Sequence, residues 1–299
     1  MKSFIVKLTL FIVLTGSIVA GLILLSDLAI KQRKQQLLQI SEDINMVFTG
    51  DSKVESAVDD NLIANAINIA QSGEAYLYSY VKIRSLIECN DQIKIIFIGF
   101  SPENFLMETE EKWLFGDISV IEKIKSYNYL LNYSDKSLII KHNSEAYLKG
   151  LTKSIFRNIL SYFKTFSSKD INGRPINFGG YSHLERDKLQ QDIKIMNLNK
   201  ENSFEKSLIQ ERYLRMISEL CRQKSVKLIL LNTPRYKYYN MNINEQVWQN
   251  WLSVRNSLPG DSLMDFSTFS LPDSCFGDLS HLNYKGAELF SQYLNELLH

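Results

Sequence analysis

Ile44-Asn45-Met46-Val47-Phe48-Thr49-Gly50-Asp51-Ser52-Lys53-Val54-Glu55 is the stretch that decides how this chain is read. An apolar, β-branched run stops abruptly at Gly-Asp-Ser and polarity rises after it. That pattern predicts a buried strand ending in a tight turn, with a helix starting just beyond. Such a turn suits a nucleophile. The strand would fix Ser52 in space, Gly50 would remove side-chain bulk, and backbone N–H groups at the turn could face a developing negative charge. Gly-Asp and Asp-Ser are also ordinary turn chemistry. The tripeptide therefore takes its weight from a partner near the other end of the chain, Asp278-Leu279-Ser280-His281.

Working outward, residues 66–70 read as a short strand ending at Gln71-Ser72-Gly73-Glu74, and residues 75–90 as a helix. Residues 93–100 (IKIIFIGF) form a continuous apolar run suited to a strand covered on both faces. Strand, helix and strand in this rhythm predict a parallel sheet with right-handed crossovers. Ligands in such sheets sit at the carboxyl ends of the strands. Ser52, Gly73 and the Ser101-Pro102-Glu103-Asn104 segment would share that edge. The rhythm resumes with a helix over 204–224, a strand over 226–232, a helix over 246–257, a short strand over 262–266 and a last helix over 284–298.

The part from about 105 to 202 breaks the rhythm and reads as a helical insertion or lid over the sheet edge. Within it, residues 151–166 are amphipathic with cations Lys153, Arg157 and Lys164, a pattern shared by membrane-surface helices and helices packed on their own domain, and the second is the expected reading. Asn172-Gly173-Arg174-Pro175 and Phe178-Gly179-Gly180-Tyr181 read as loops. His142 and His183 lack carboxylate or cysteine partners at ligand spacing, so no metal site and no cofactor is expected.

The N-terminus departs from a soluble pattern. Residues 8–25, LTLFIVLTGSIVAGLILL, carry no charge and at 1.5 Å per residue would span roughly 27 Å, about the thickness of a bilayer core. Lys2 and Lys7 precede the run while Lys31, Arg33 and Lys34 follow it, so flanking charge does not fix its orientation. A cleaved signal peptide is the rival reading, with small residues at Gly16, Ser17, Ala20 and Gly21. The apolar run continues past any cleavage site there, which favours a retained anchor. The expected layout is an anchor over 1–29, a polar stalk over 30–42 and an α/β domain over 43–299 lying outside the cytoplasm.

Composition excludes several classes. With 45% hydrophobic and 22% charged residues and a formal net charge of +1, the chain is globular and offers no basic field for nucleic acid. Cys89, Cys221 and Cys275 have no metal-ligand spacing, and their odd number leaves at least one free thiol.

A serine hydroxyl needs a base to take its proton, and the base needs a third group to orient it. Asp278 and His281, three positions apart, would share a face on one helical turn. Asp278 could then accept the imidazole Nδ1–H and leave Nε2 for Ser52. As a bland alternative, Asp278 caps the last helix and Lys53, Glu55 and Glu74 are solvated surface residues.

An early Gly50-Asp51-Ser52 with a late Asp278-x-x-His281 resembles the SGNH (GDSL-type) hydrolase superfamily. The resemblance covers most of the chain after the anchor, apart from the insertion. It implies a three-layer, flavodoxin-like α/β sandwich with Ser52 as nucleophile, His281 as base and Asp278 as its orienter. It also implies an oxyanion hole from the backbone N–H groups of Ser52 and Gly73. The family's third strand usually ends in Gly-x-Asn-Asp; here Gly99-Phe100-Ser101-Pro102-Glu103-Asn104 departs from it, and Asn104 is the substitute for the missing asparagine. Ser101-Pro102-x-x-Phe105 instead resembles the membrane-anchored DltD-like and alginate O-acetylation branches. That likeness implies an esterase or O-acyltransferase acting on an acylated cell-surface glycan or envelope polymer, with a membrane-bound O-acyltransferase as a possible partner. A catalytically silent scaffold is the alternative.

Overall fold

The computed structural model describes residues 2–163, 178–196, 204–258 and 260–299. Five strands, β1 (Met46–Thr49), β2 (Ala66–Asn68), β3 (Ile95–Gly99), β4 (Lys227–Asn232) and β5 (Ser262–Asp265), form one sheet. Their order is β2-β1-β3-β4-β5 and every pairing is parallel. This is the flavodoxin-like order of doubly wound α/β proteins.

Successive strand residues point to opposite faces, and here both faces are apolar. Val47, Ile67, Ile96, Ile98, Leu228 and Leu230 enter one core with α3 (Tyr76–Cys89), α8 (Leu208–Gln223) and α10 (Glu245–Asn256). Met46, Phe48, Phe97, Ile229 and Leu231 enter a second core with α2 (Ser52–Ala57) and α11 (Tyr284–Leu298). Phe48 and Phe97, paired across β1 and β3, stack with ring centroids 4.3 Å apart. Two buried faces make three layers, which is why the strands read as continuous apolar runs.

Between β3 and β4 the described residues hold α4 (Met107–Trp113), α5 (Asp117–Tyr127), α6 (Tyr133–Phe163) and α7 (Leu189–Met196). The ends of this insertion meet in a short antiparallel bridge: Met107 N–H donates to Glu205 O (2.9 Å) and Ser207 N–H to Phe105 O (2.8 Å). α6 breaks at Asn143, whose extended backbone ends one helical run and whose Oδ1 accepts the Ala146 N–H that starts the next. Lys164, Phe166 and the Asn172–Pro175 loop lie outside the described residues.

α1 (Lys2–Leu38) is continuous, and residues 3–31 are long and apolar enough to cross a membrane, with mean hydropathy 2.6. Past Lys31 the same helix runs into the domain, where Leu38 and Ile40 are buried in the first core. Asn90, at the end of α3, clamps this entry by donating to Leu38 O and accepting from Ile40 N, both at 2.9 Å.

Candidate active site

Gly50 turns the chain out of β1 at φ +142, and a Cβ there would lie 3.0 Å from Gly99 N and 3.1 Å from a Val54 methyl. Only glycine lets the ends of β1 and β3 approach this closely. Asp51 is the N-cap of α2, its Oδ1 accepting Lys53 N–H at 2.9 Å. Ser52 is therefore the first helical residue, and its own N–H has no acceptor within the helix.

Beneath the serine lies a chain of alternating charges. Lys53 Nζ is 3.2 Å from Asp51 Oδ2 and 3.8 Å from Glu103, and Arg235 donates to the other Glu103 oxygen at 3.0 Å. Burial alone would raise the Asp51 carboxyl and lower the Lys53 ammonium. The Lys53 charge and the bonds from Asn104 and Lys53 N–H outweigh it for Asp51, which is held below its ordinary value. The Asp51 and Glu103 charges hold Lys53 above its own. Glu103, likewise resisted by burial, is held low by Lys53 and Arg235. Lys53 is thus a paired, nearly buried residue and not the solvated turn residue the sequence suggested.

Ser52 Oγ lies 2.8 Å from His281 Nε2, and His281 Nδ1 lies 2.8 Å from Asp278 Oδ1. Three side chains from opposite ends of the sequence form one line of hydrogen bonds. The helical turn expected for Asp278 and His281 is absent: both sit in a loop closed by an antiparallel bridge between Phe276 and Leu282, with Gly277 N–H donating to His281 O at 2.9 Å. Asp278 Oδ1 instead folds the loop on itself by accepting the N–H groups of Ser280 and His281, both at 2.9 Å. The cap of α11 is Asn283, which accepts from Lys285 and Gly286 N–H. Turn chemistry outcompetes a helix here because the aspartate satisfies two backbone donors at once.

Arg186, which nothing in the sequence singled out, closes the line at its far end by donating to Asp278 Oδ2 at 2.5 Å. Its segment is laid along the histidine loop: Lys188 N–H donates to Gly277 O (2.8 Å) and Tyr284 N–H to Leu184 O (3.0 Å). Burial would raise the Asp278 carboxyl, but bonds from His281, Ser280 N–H and Arg186 hold it well below the usual carboxylate range.

The other expected members lie at the same sheet edge. Gly73 adopts φ +63 in a turn pinned to the serine turn by Gln71 N–H on Gly50 O (3.0 Å), and a Cβ on it would clash with the nearest Trp113 ring carbons. Asn104 is turned toward Asp51: its Nδ2 donates to Asp51 Oδ2 at 2.9 Å, and its Oδ1 accepts from Ser101 N–H and Oγ at 2.8 and 2.7 Å. No hydrogen bond joins it to Ser52. Glu55 is bonded to the Ser72 hydroxyl, and burial raises its carboxyl. Glu74 is fully buried against Lys82 at 2.6 Å, so the surface role read for it does not hold. The 178–182 loop lies along this edge too, with Gly180 N–H on Ala70 O and Ser182 N–H on Glu55 O, both 2.9 Å. His142 stacks on Phe115 and His183 on Tyr284.

Comparison with known proteins adds little to this geometry. A sequence-family profile matches residues 182–299, the part that carries Arg186, Asp278 and His281 but not Ser52. No curated protein matches. Among solved structures, a Bacteroides fragilis NCTC 9343 protein provisionally assigned as an acylhydrolase is similar at TM-score 0.37 and 11% identity, covering 90% of this chain and 97% of its own. At that TM-score the two backbones diverge too far for the likeness to bear on chemistry. The α/β architecture itself stands on the parallel sheet and its two apolar faces.

Proposed function

We propose that the chain is a serine-dependent ester hydrolase or O-acyltransferase. One observation carries the reading: Ser52, His281 and Asp278 are linked in series by two hydrogen bonds of 2.8 Å. The Asp278 carboxylate can only accept, so the imidazole carries its hydrogen on Nδ1 and presents a lone pair at Nε2. Ser52 Oγ attacks the ester carbonyl carbon as its proton passes to Nε2, and the imidazolium formed is balanced by Asp278. The Ser52 and Gly73 N–H groups hold the oxyanion. Its collapse breaks the ester C–O bond, and the alkoxide leaves with the proton from Nε2. Water or a sugar hydroxyl then repeats the sequence on the acyl-serine, and the choice of acceptor separates esterase from transferase.

The substrate we propose is an acyl ester on an exported or cell-surface glycan or envelope polymer. The likeness to SGNH hydrolases and their DltD-like branch supports it, as does a span at residues 3–31 that would hold the domain at a membrane. A membrane-bound O-acyltransferase would be the natural source or recipient of the acyl group. Single-turnover assay of the full chain with an activated acyl ester tests the mechanism: a burst is expected, absent in Ser52→Ala. An undiminished burst in that variant removes Ser52 as nucleophile.

A second reading, a silent scaffold for glycan or an acyltransferase, is favoured by the engagement of Asn104 with Asp51. It leaves the oxyanion hole two backbone donors. Failure of a phosphonate probe to label Ser52 in the folded protein would favour the scaffold.

A further inference from the structure

The second half of α6 packs along α5, with Lys153 paired to Glu122 and Arg157 donating to Ser126 O at 3.3 Å, and its last turns reach the apolar span. Leu38 and Ile40, at the end of α1, share a core with Ile139, Ala146 and Tyr147 of α6. α1 runs from this core toward the apolar span with falling residue number, and α6 packs against it. They meet again where Asn158 Nδ2 donates to Ser26 Oγ at 3.0 Å, a contact in which Ser26, Ala29, Ser154 and Asn158 are all buried. Ser26 directly follows the uncharged run of residues 8–25, so this contact marks the edge of the hydrocarbon when α1 lies in a bilayer.

Phe156 and Leu160 lie beside Asn158 yet face away from the protein, 56% and 58% exposed. Spaced four apart, they share one stripe of the helix. Leu160 is two residues further from the core than Asn158, about 3 Å closer to the bilayer centre. Lys149 and Lys153, exposed one to two turns nearer the domain and paired with Glu145 and Glu122, would lie at headgroup height. Set between an apolar span and a ring of paired charges, two large apolar side chains fit acyl chains better than water.

We propose that the end of α6 is a second membrane contact, with Phe156 and Leu160 inserted at the boundary between headgroups and acyl chains. Two contacts fix the rotation of the domain about α1, which a single helix leaves free. The inference rests on α1 occupying a bilayer and is independent of the Ser52 chemistry.

The test places an environment-sensitive fluorophore on one added cysteine at position 148, 156 or 160 of the full chain, in a Cys89→Ala background that leaves only the buried Cys221 and Cys275. The protein is reconstituted into phosphatidylcholine–phosphatidylglycerol vesicles with and without nitroxide-bearing lipid. Leu148 is 61% exposed on the same stripe but about 12 Å nearer the domain than Phe156, and serves as the internal control. Expected are a blue-shifted emission quenched by lipid nitroxide in the order 160, then 156, with 148 reading as water. Equal, water-like emission at all three positions overturns the proposal. A blue shift that lipid nitroxide does not quench also overturns it, because a protein then covers the stripe. All three side chains point to solvent, so labelling leaves the fold intact, and a thermal melt of each labelled variant checks this.

Discussion

Replacing Asp278 by asparagine separates charge from shape at the proposed site. The carboxylate accepts from Ser280 N–H and His281 N–H at 2.9 Å, from Ser280 Oγ at 3.1 Å and from His281 Nδ1 at 2.8 Å through one oxygen, and from Arg186 at 2.5 Å through the other, which also lies 3.0 Å from His281 Nδ1. Asparagine keeps one acceptor and adds two donors. If its oxygen stays on the backbone pair, its nitrogen meets the Arg186 donor. If it turns, its N–H meets His281 Nδ1 and drives the imidazole hydrogen onto Nε2, where the Ser52 proton must go. In both orientations the negative charge that balances the imidazolium is gone. With charge centres about 4 Å apart and an effective dielectric near 20, that charge contributes roughly 4 kcal/mol. At about 1.4 kcal/mol per decade the loss is about 10³-fold in kcat, and the wrong tautomer pushes it toward about 10⁴. The assay is kcat of the full chain on an activated acyl ester, with circular dichroism and a thermal melt showing that the variant is folded. A folded Asp278→Asn enzyme losing less than about tenfold would refute the assigned role of Asp278.

Further outcomes follow from the same geometry. Ser52→Ala, His281→Ala and the double variant should each lose about the same factor, on the order of 10⁶ in kcat, because the two groups act as one unit; additive losses would show separate roles. Asn104→Ala takes one donor from Asp51 while Lys53 stays, so a destabilisation of about 1–3 kcal/mol in urea melts is expected. A kcat loss of about 10² or more with stability unchanged would instead make Asn104 an oxyanion donor. Gly73→Ala should cost about 1–3 kcal/mol, since φ +63 disfavours a side chain and the new methyl meets Trp113. Adding Trp113→Ala should recover the steric part only, and full recovery would show that backbone strain is negligible. Asp51, Glu103 and Asp278 are each held below their ordinary range against burial. Their stabilisation is present above the unfolded-state values near pH 4 and lost as pH falls below them, so urea midpoints should drop from about pH 4 downward. A flat profile there would refute the charge network under Ser52.

The sequence by itself determined the sheet, because a strand buried on both faces must be apolar at consecutive positions, and 46–48, 95–98 and 228–231 are. It also determined the turn after Gly50 and the apolar span, since each depends on a few neighbouring residues. Tertiary structure decided the rest. Whether Ser52 meets His281 depends on where α2 and the loop before α11 come to rest, and only the parallel order β2-β1-β3-β4-β5 sets that. Asp278-x-x-His281 fitted a helical turn by spacing, yet backbone donors within the loop captured the aspartate. Lys53, Glu74 and Asn104 read as surface or site residues until their partners Asp51, Glu103 and Lys82 were brought beside them. Arg186 carried no local signal at all, since its role comes from Asp278, a residue far along the chain. Spacing along a chain records which residues can share an element, whereas charge pairing across elements is fixed only when the fold closes the distance.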